Sequence, residues 1–196
     1  MTTLNDFYSE LLTREGVPYQ QLISCWDVAL ITRVEQAFRT AVQNSGINNQ
    51  PFHFKSGSSN QSWGNQVEDH FVAIISQHLK NFMIGECVGK GYPDRCLRET
   101  DAGSACPLEI KATSQWNPQD TNRRVLTSSS AKLRANFAPP VQHLLATVQY
   151  SVANHTSNIT AIRLDFLEPT TLVNIRLEAS VTHQILAQGT HTSVTI

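Results

Sequence analysis

Three charged residues in the middle of the chain have types and a spacing that suit chemistry on a phosphate ester. Asp94 follows Pro93, and Glu109 and Lys111 come a short distance later. Carboxylate oxygens are hard ligands for Mg²⁺, which takes one or two protein carboxylates and keeps several waters. Such an ion polarises a phosphoryl oxygen and lowers the pKa of a bound water, while an ammonium group stabilises added negative charge or positions that water. The three residues therefore predict magnesium-dependent hydrolysis of a phosphodiester.

The local pattern indicates how these side chains reach one place. Leu108 to Ala112 alternates apolar and polar residues, as a half-buried strand does. Because successive side chains of a strand point to opposite faces, Glu109 and Lys111 emerge together and the apolar residues face the core. Pro93 suits a strand start or an edge, where it would present Asp94 at a rim.

Two helices are predicted upstream of this site. Leu22 to Asn44 has apolar residues at helical spacing, Ser24 with Asp27 resembles a capping box, and Gly46 suits the end of the helix. A second helix is predicted from near Ser62 to about Lys80, with an apolar stripe on one side.

The order of these elements predicts the fold class. Helices come first and strands afterwards, which favours an α/β or α+β fold with a mixed central sheet flanked by helices. A chain of 196 residues and 21.8 kDa fits one domain, 1–196, with a helical part at about 1–80 and a β-rich part at about 81–196 that carries the site. Val181 to Gln188 is predicted as a closing helix that ends at Gly189.

Pro93-Asp94 followed by Glu109 and Lys111 on a strand resembles the motif of the PD-(D/E)xK nuclease superfamily, and most closely its type II restriction endonucleases. The resemblance implies a restriction-endonuclease-like fold in which Asp94 and Glu109 bind Mg²⁺ and the Ile110 carbonyl is a further ligand. Lys111 would orient or deprotonate the attacking water, and in-line attack would leave a 5′-phosphate. The substrate would be double-stranded DNA cut at a specific short sequence by a homodimer, since two sites are needed to cut both strands.

Other acids compete for roles in this motif. By resemblance, Glu68 on the second helix faces the metal site and binds a second ion directly or through water; the alternative is an exposed helix acid. Asp69 takes that place if the helical phase differs by one residue. Glu99 and Asp101 lie between the two halves of the motif and compete with Asp94 as the first acid.

One stretch of the chain is locally cationic. The net charge of −1 and the pI of about 6.6 argue against a protein that coats nucleic acid by charge alone. Between Thr121 and Ile162, however, there is no acidic residue. Arginine pairs with guanine and asparagine with adenine, whereas lysine usually contacts phosphates. The predicted DNA-binding residues are Asn122, Arg123, Arg124, Lys132 and Arg134; ordinary surface positions are the alternative.

The cysteines, the first residues and the apolar stretches limit the class of protein that the sequence can be. The 4 cysteines are unevenly spaced and favour free thiols, the first residues are unlike a signal peptide, and no apolar stretch is long enough for a membrane span. A soluble, cytoplasmic protein is therefore expected. Two alternatives to a restriction enzyme stay open: a repair, resolvase or nicking nuclease of the same superfamily, and a noncatalytic β-rich binding protein in which the motif is accidental.

Overall fold

A mixed β-sheet lies at the centre of the computed structural model. The structure describes residues 2–55, 60–101, 103–114, 124–127, 129–154, 156–173, 176–177, 183–186 and 192–196. The helices in these ranges are α1 (Leu4–Arg14), α2 (Val28–Ser45), α3 (Asn60–His78) and α4 (Ala131–Asn136). The strands are β1 (Thr2–Thr3), β2 (Phe52–His53), β3 (Phe82–Glu86), β4 (Arg95–Glu99), β5 (Ala105–Thr113), β6 (Arg124–Thr127), β7 (His143–Ala153), β8 (Thr156–Leu167), β9 (Leu172–Val173), β10 (Arg176–Leu177), β11 (His183–Leu186) and β12 (Thr192–Thr195).

The central sheet has the strand order β12-β8-β7-β5-β4-β3, and β2 adds to it beside β8. β5 and β7 run parallel, while the other neighbouring strands of this sheet run antiparallel. Smaller antiparallel pairings join β1 to β9 and β10 to β11 to β6. The prediction of a mixed central sheet flanked by helices is confirmed. No described helix is both long and apolar enough to cross a membrane.

Helix α2 begins later than its apolar pattern predicts. The prediction of a start at Leu22 is wrong because residues 22–24 are extended and exchange backbone hydrogen bonds with Val141. Asp27 is the N-cap, since its carboxylate accepts from the backbone N–H of Leu30 at 3.1 Å. The end is as predicted: Gly46 closes the helix in the left-handed region at φ 61°.

The two ends of the chain also differ from the sequence-based expectation. The predicted closing helix is wrong at residues 183–186, which form β11 antiparallel to β6; pairing with another strand outweighs a short apolar pattern. The other residues of that predicted helix lie outside the described ones. Helix α1 was not predicted, although its start carries a readable signal: Thr3 and Asp6 form a reciprocal capping box.

The central sheet has two faces of different composition. On the first, which we call the apolar face, the side chains of β5 and β7 pack on α3 and form one hydrophobic cluster that includes α2. The residues of β5 and β7 in this cluster are Cys106, Leu108, Ile110, Ala112, Leu144, Ala146, Val148 and Tyr150. Burial of apolar area on this face supplies a large share of the folding free energy.

The opposite face, which we call the mixed face, combines hydrophobic and polar side chains. Leu145 and Leu167 pack there with α1 and with Leu133 of α4 in a second hydrophobic cluster. The same face carries the buried polar residues Glu109, His143, Thr147 and Asp165. The mixed face is therefore where the sheet buries groups that require hydrogen-bond or ionic partners.

Candidate active site

The pairing of β4 with β5 brings Asp94 beside Glu109. Arg95 lies opposite Leu108 in this antiparallel pair, so the residue before β4 meets the residue that follows Leu108. The backbone N–H of Asp94 donates to Oε2 of Glu109 at 3.3 Å. The Asp94 carbonyl in turn accepts from the N–H of Cys87 at 3.1 Å, which ties the segment to the end of β3. The two predicted acids are thus neighbours in space.

Glu109 and Lys111 lie on the same face of β5, as the alternation predicts. Nζ of Lys111 is 2.6 Å from Oε1 of Glu109, and the two side chains are 20% and 5% exposed. A carboxylate this deeply buried requires a charged partner. Glu109 is therefore not part of a hydrated strand surface.

The pKa values of this pair follow from burial and from each other's charge. Burial raises the pKa of Glu109, and the Asp94 carboxylate raises it further, whereas Lys111 lowers it. For Lys111, burial alone would lower the pKa, but the carboxylates of Glu109 and Glu68 outweigh that effect and raise it. Lys111 is consequently an ammonium at neutral pH, and the site combines buried acids with a fixed positive charge.

Glu68 reaches the site from helix α3. Its carboxylate accepts the backbone N–H of Ala112 at 3.1 Å, at a part of β5 that extends beyond its pairing with β4. Burial raises the pKa of Glu68 to about 7, with opposing contributions from Lys111 and Glu109. Asp69, the alternative acid, is 76% exposed and lies 3.5 Å from Arg95.

The competing acids between the motif halves lie elsewhere. Glu99, at the end of β4, pairs with Arg33 of α2 at 3.1 Å. Asp101 is exposed in the turn between β4 and β5. Neither residue shares the described contacts of Glu109, and this arrangement favours Asp94 as the first acid.

The donors at this site fit a magnesium ion. Among the described residues no three or more of His, Cys, Asp and Glu form a group that could hold a metal. Mg²⁺ needs fewer, because it takes one or two carboxylates and keeps several waters. Asp94 and Glu109 provide two carboxylates whose mutual repulsion raises the pKa of Glu109, and a bound cation would relieve that repulsion.

The predicted DNA-binding residues fall into three groups. Asn122 and Arg123 lie outside the described residues. Arg124 begins β6 and lies opposite Leu186 of β11. On α4, Lys132 and Arg134 each have an acidic partner within the protein.

Lys132 is placed differently from the sequence-based expectation. The residue is 7% exposed, and Nζ lies 3.3 Å from Oδ1 of Asp94. Lys132 therefore contacts Asp94 within the protein, and its contact with DNA stays a prediction. Arg134 lies 3.8 Å from Glu15, and its side chain is 28% exposed, so its contact with DNA stays a prediction.

A buried uncharged network beneath the site was not predicted. The hydroxyl of Tyr92 is 2.7 Å from Nδ1 of His143, and the hydroxyl of Tyr8 is 3.4 Å from the same nitrogen. Burial lowers the pKa of His143 to about 4, so the ring is neutral at neutral pH. Tyr92 directly precedes Pro93 and Asp94, and its anchoring fixes the segment that carries the first acid. The three residues are far apart in sequence and no local pattern joins them.

The solved structures that match this chain include two restriction endonucleases. One is the NlaIV restriction endonuclease, at 15% identity and a TM-score of 0.48, with 79% of this chain and 68% of that chain covered. The other is the restriction endonuclease BglI bound to its DNA recognition sequence, at 10% identity and a TM-score of 0.34, with 98% and 89% covered. No family model and no curated protein matches the sequence.

Proposed function

We propose that this chain is a magnesium-dependent deoxyribonuclease of type II restriction character, which hydrolyses double-stranded DNA at a specific short sequence and leaves 5′-phosphate ends. The contacts among Asp94, Glu109 and Lys111 carry the proposal. Asp94 donates its backbone N–H to Glu109, and Glu109 holds the ammonium of Lys111 at 2.6 Å. The residue before β4 and two residues of β5 thus bring two acids and an amine together, which supports the proposal.

Asp94 and Glu109 are the proposed magnesium ligands, with the carbonyl of Ile110 as a further one. Along a strand, the backbone N–H and C=O groups of every second residue point to the same side. The carbonyl of Ile110 therefore points to the side on which the N–H of Ala112 donates to Glu68. That side of β5 is no longer paired with β4 beyond Leu108. A magnesium ion bound there would polarise a phosphoryl oxygen and acidify a bound water.

Lys111 acts as a fixed positive charge in this proposal. Its pKa is raised by Glu109 and Glu68, so it holds its proton and is a poor base. A protonated amine donates hydrogen bonds to the attacking water or to a phosphate oxygen, where negative charge develops. The motif leaves two roles open for Lys111, which are to orient the attacking water or to deprotonate it. The first role is therefore the better supported.

The wider assembly follows from the same proposal. Glu68 would bind a second cation directly or through water, and such an ion would favour its ionised form. Asn122, Arg123 and Arg124 would contact DNA in the major groove or along the phosphates. Two copies of the chain would pair as a homodimer, so that each cuts one strand of a symmetric site.

The test is incubation of the purified protein with long duplex DNA of varied sequence and Mg²⁺, followed by sequencing of the termini. We expect discrete fragments whose 5′-phosphate ends share one sequence. Asp94→Asn and Lys111→Met should each lower the cleavage rate by about 10²–10⁴-fold, the range for a lost acid–base or charge-stabilising group. Lys111→Met should still bind the recognised sequence.

Asp101→Asn is the matched control, because it removes an exposed acid from the same stretch of chain and should cut at the wild-type rate. Normal cleavage by Asp94→Asn or Lys111→Met would remove these residues from the mechanism. Single-strand nicks or structure-dependent cuts would instead support a repair, resolvase or nicking nuclease. Absence of cleavage on every DNA would count against nuclease function and favour a binding protein.

A further inference from the structure

Lys132 occupies a position that is unusual for a lysine. Its side chain is 5% exposed, and lysine is almost never fully buried unless it is paired. The aliphatic part of the side chain runs over Gly89, whose φ is 114°; a Cβ at this glycine would lie 3.5 Å from Cγ of Lys132. The ammonium reaches Oδ1 of Asp94, whose own side chain is 69% exposed. Lys132 therefore approaches an accessible carboxylate from inside the protein.

The short helix that carries Lys132 is fixed at its start. The carboxylate of Glu15, just after α1, accepts the backbone N–H of Ser130 at 2.7 Å and also the Ser130 hydroxyl. Nε of Arg134 donates to the same hydroxyl oxygen at 2.9 Å. A six-residue helix is not stable alone, so contacts of this kind decide whether α4 forms.

The end of α4 is fixed as well. The side-chain amide of Asn136 donates to the carbonyl of Val88 at 3.0 Å, and its oxygen accepts the Val88 N–H at 3.0 Å. The same amide donates to the carbonyl of Lys132 at 2.8 Å. Leu133 is fully buried in the cluster with α1. The backbone of Lys132 is thus held between α1 and the turn that follows β3, and the direction of its side chain is set before any ligand binds.

The charges form two matched pairs. Glu109 has Lys111 from its own strand, and Asp94 has Lys132 from α4. A second ammonium offsets the repulsion between the two acids, which would otherwise favour protonation of one of them. Lys132 also limits the positions that the exposed Asp94 carboxylate can adopt.

We propose that Lys132 is a positioning residue of the active site, which holds the carboxylate of Asp94 in place and does not contact DNA. The proposal rests on the nuclease function proposed above for the same site. Partners of this kind, one contact removed from the reacting atoms, typically change activity by about 10–100-fold when they are lost.

The test separates positioning from a phosphate contact. Lys132→Met keeps the length of the side chain and removes its charge; Lys90→Met, at an exposed lysine in the neighbouring turn, is the matched control. We expect Lys132→Met to lower kcat at saturating DNA about 10–100-fold and to leave the Kd for DNA, measured without divalent metal, within about twofold. Lys90→Met should keep the wild-type kcat. A phosphate contact would instead weaken DNA binding on every sequence and reduce its salt dependence, which would overturn the proposal.

A second measurement does not depend on cleavage. Thermal unfolding in EDTA is compared for the wild type, Asp94→Asn, Lys132→Met and the double variant. Since Asp94→Asn leaves a buried ammonium without its partner, the shifts in Tm should not add, and Lys132→Met should recover part of the loss. Additive shifts would overturn the pairing and with it the proposal. A coupled pair in a protein that cuts no DNA would instead reject only the nuclease function.

Discussion

The two faces of the central sheet bury their side chains in different ways, although the same strands supply both. On the apolar face, Leu108 and Leu144 are fully buried among other hydrocarbons, and their burial stabilises the fold in proportion to area. On the mixed face, Glu109 and His143 are as deeply buried, and each needs specific partners to offset its desolvation. The candidate site lies on the face where burial costs free energy, and the apolar face offsets that cost.

The mixed face offsets the desolvation of its buried polar groups in two ways. Around Glu109 the buried groups are ionic, and each acid of the motif has an ammonium partner. Around His143 they are uncharged, because burial keeps the imidazole neutral and two tyrosine hydroxyls lie within reach of Nδ1. The uncharged network is suited to hold Tyr92 in place without adding charge beside the acids.

Truncation of a side chain on the apolar face should lower the stability of the protein and leave the cleavage rate of the folded protein unchanged. Leu144→Ala removes a fully buried side chain from β7 and should lower the free energy of unfolding by about 2–5 kcal/mol. The cleavage rate per folded molecule should stay within about twofold, since Leu144 points away from Glu109. Urea unfolding and a cleavage assay below the transition measure the two quantities.

Val152→Ala is the control for this prediction, because Val152 is on the same strand but 39% exposed. It should change stability by less than about 0.5 kcal/mol. A large loss of kcat in folded Leu144→Ala would show that the two faces are not separable in this way.

The uncharged network should make stability depend on pH. The pKa of His143 is about 4 in the folded protein against 6.5 when exposed, so the unfolded chain binds more protons between these values. Stability from this residue is fully present above pH 6.5 and is lost as the pH falls to about 4, by about 3 kcal/mol in total. Unfolding of His143→Gln followed from pH 7 to pH 4 should lack this loss.

His53→Gln provides the comparison, since it removes an exposed histidine and leaves the buried one in place. The informative quantity is the difference in slope between the wild type and His143→Gln. Equal slopes in the two proteins would mean that His143 is not held neutral by burial.

The sequence predicts the site better than it predicts what supports it. The alternation around Glu109 and Lys111 correctly predicts that they share one face of a strand, because strand periodicity is a local property. The bounds of α3 are predicted to within a few residues because helical periodicity is a local property as well. Lys132, by contrast, reads as one more basic residue in a cationic stretch. Its contact with Asp94 depends on how α4 docks against α1 and the turn after β3, and no local pattern encodes that.

The elements at the chain ends show the same limit. Residues 183–186 have an apolar pattern too short to distinguish helix from strand, and pairing with β6 decides between them. The network of Tyr8, Tyr92 and His143 joins three distant segments through single hydrogen bonds. Contacts of this kind follow from the fold and cannot be read from spacing.

The charged region should have a pH dependence opposite to that of His143. Burial raises the pKa of Glu68 to about 7, so the folded protein binds a proton that the unfolded chain has released above pH 4.5. The stability that this proton provides is present below pH 4.5 and is lost as the pH rises to about 7, by about 2 kcal/mol after allowance for partial exposure. Unfolding in EDTA should show that Glu68→Gln lacks this loss.

Asp69→Asn is the matched control on the same helix, because it removes an acid whose side chain is 76% exposed. Between pH 4.5 and pH 6.5 the contribution of Glu68 to stability falls as the pH rises, whereas that of His143 increases. The stability of the wild type should therefore depend less on pH than that of either Glu68→Gln or His143→Gln. Removal of Glu68 should therefore make stability rise more steeply from pH 4.5 to pH 7, and removal of His143 should make it fall. If both variants shifted the slope in the same direction, the assignment of a buried acid at Glu68 and a buried neutral imidazole at His143 would be wrong.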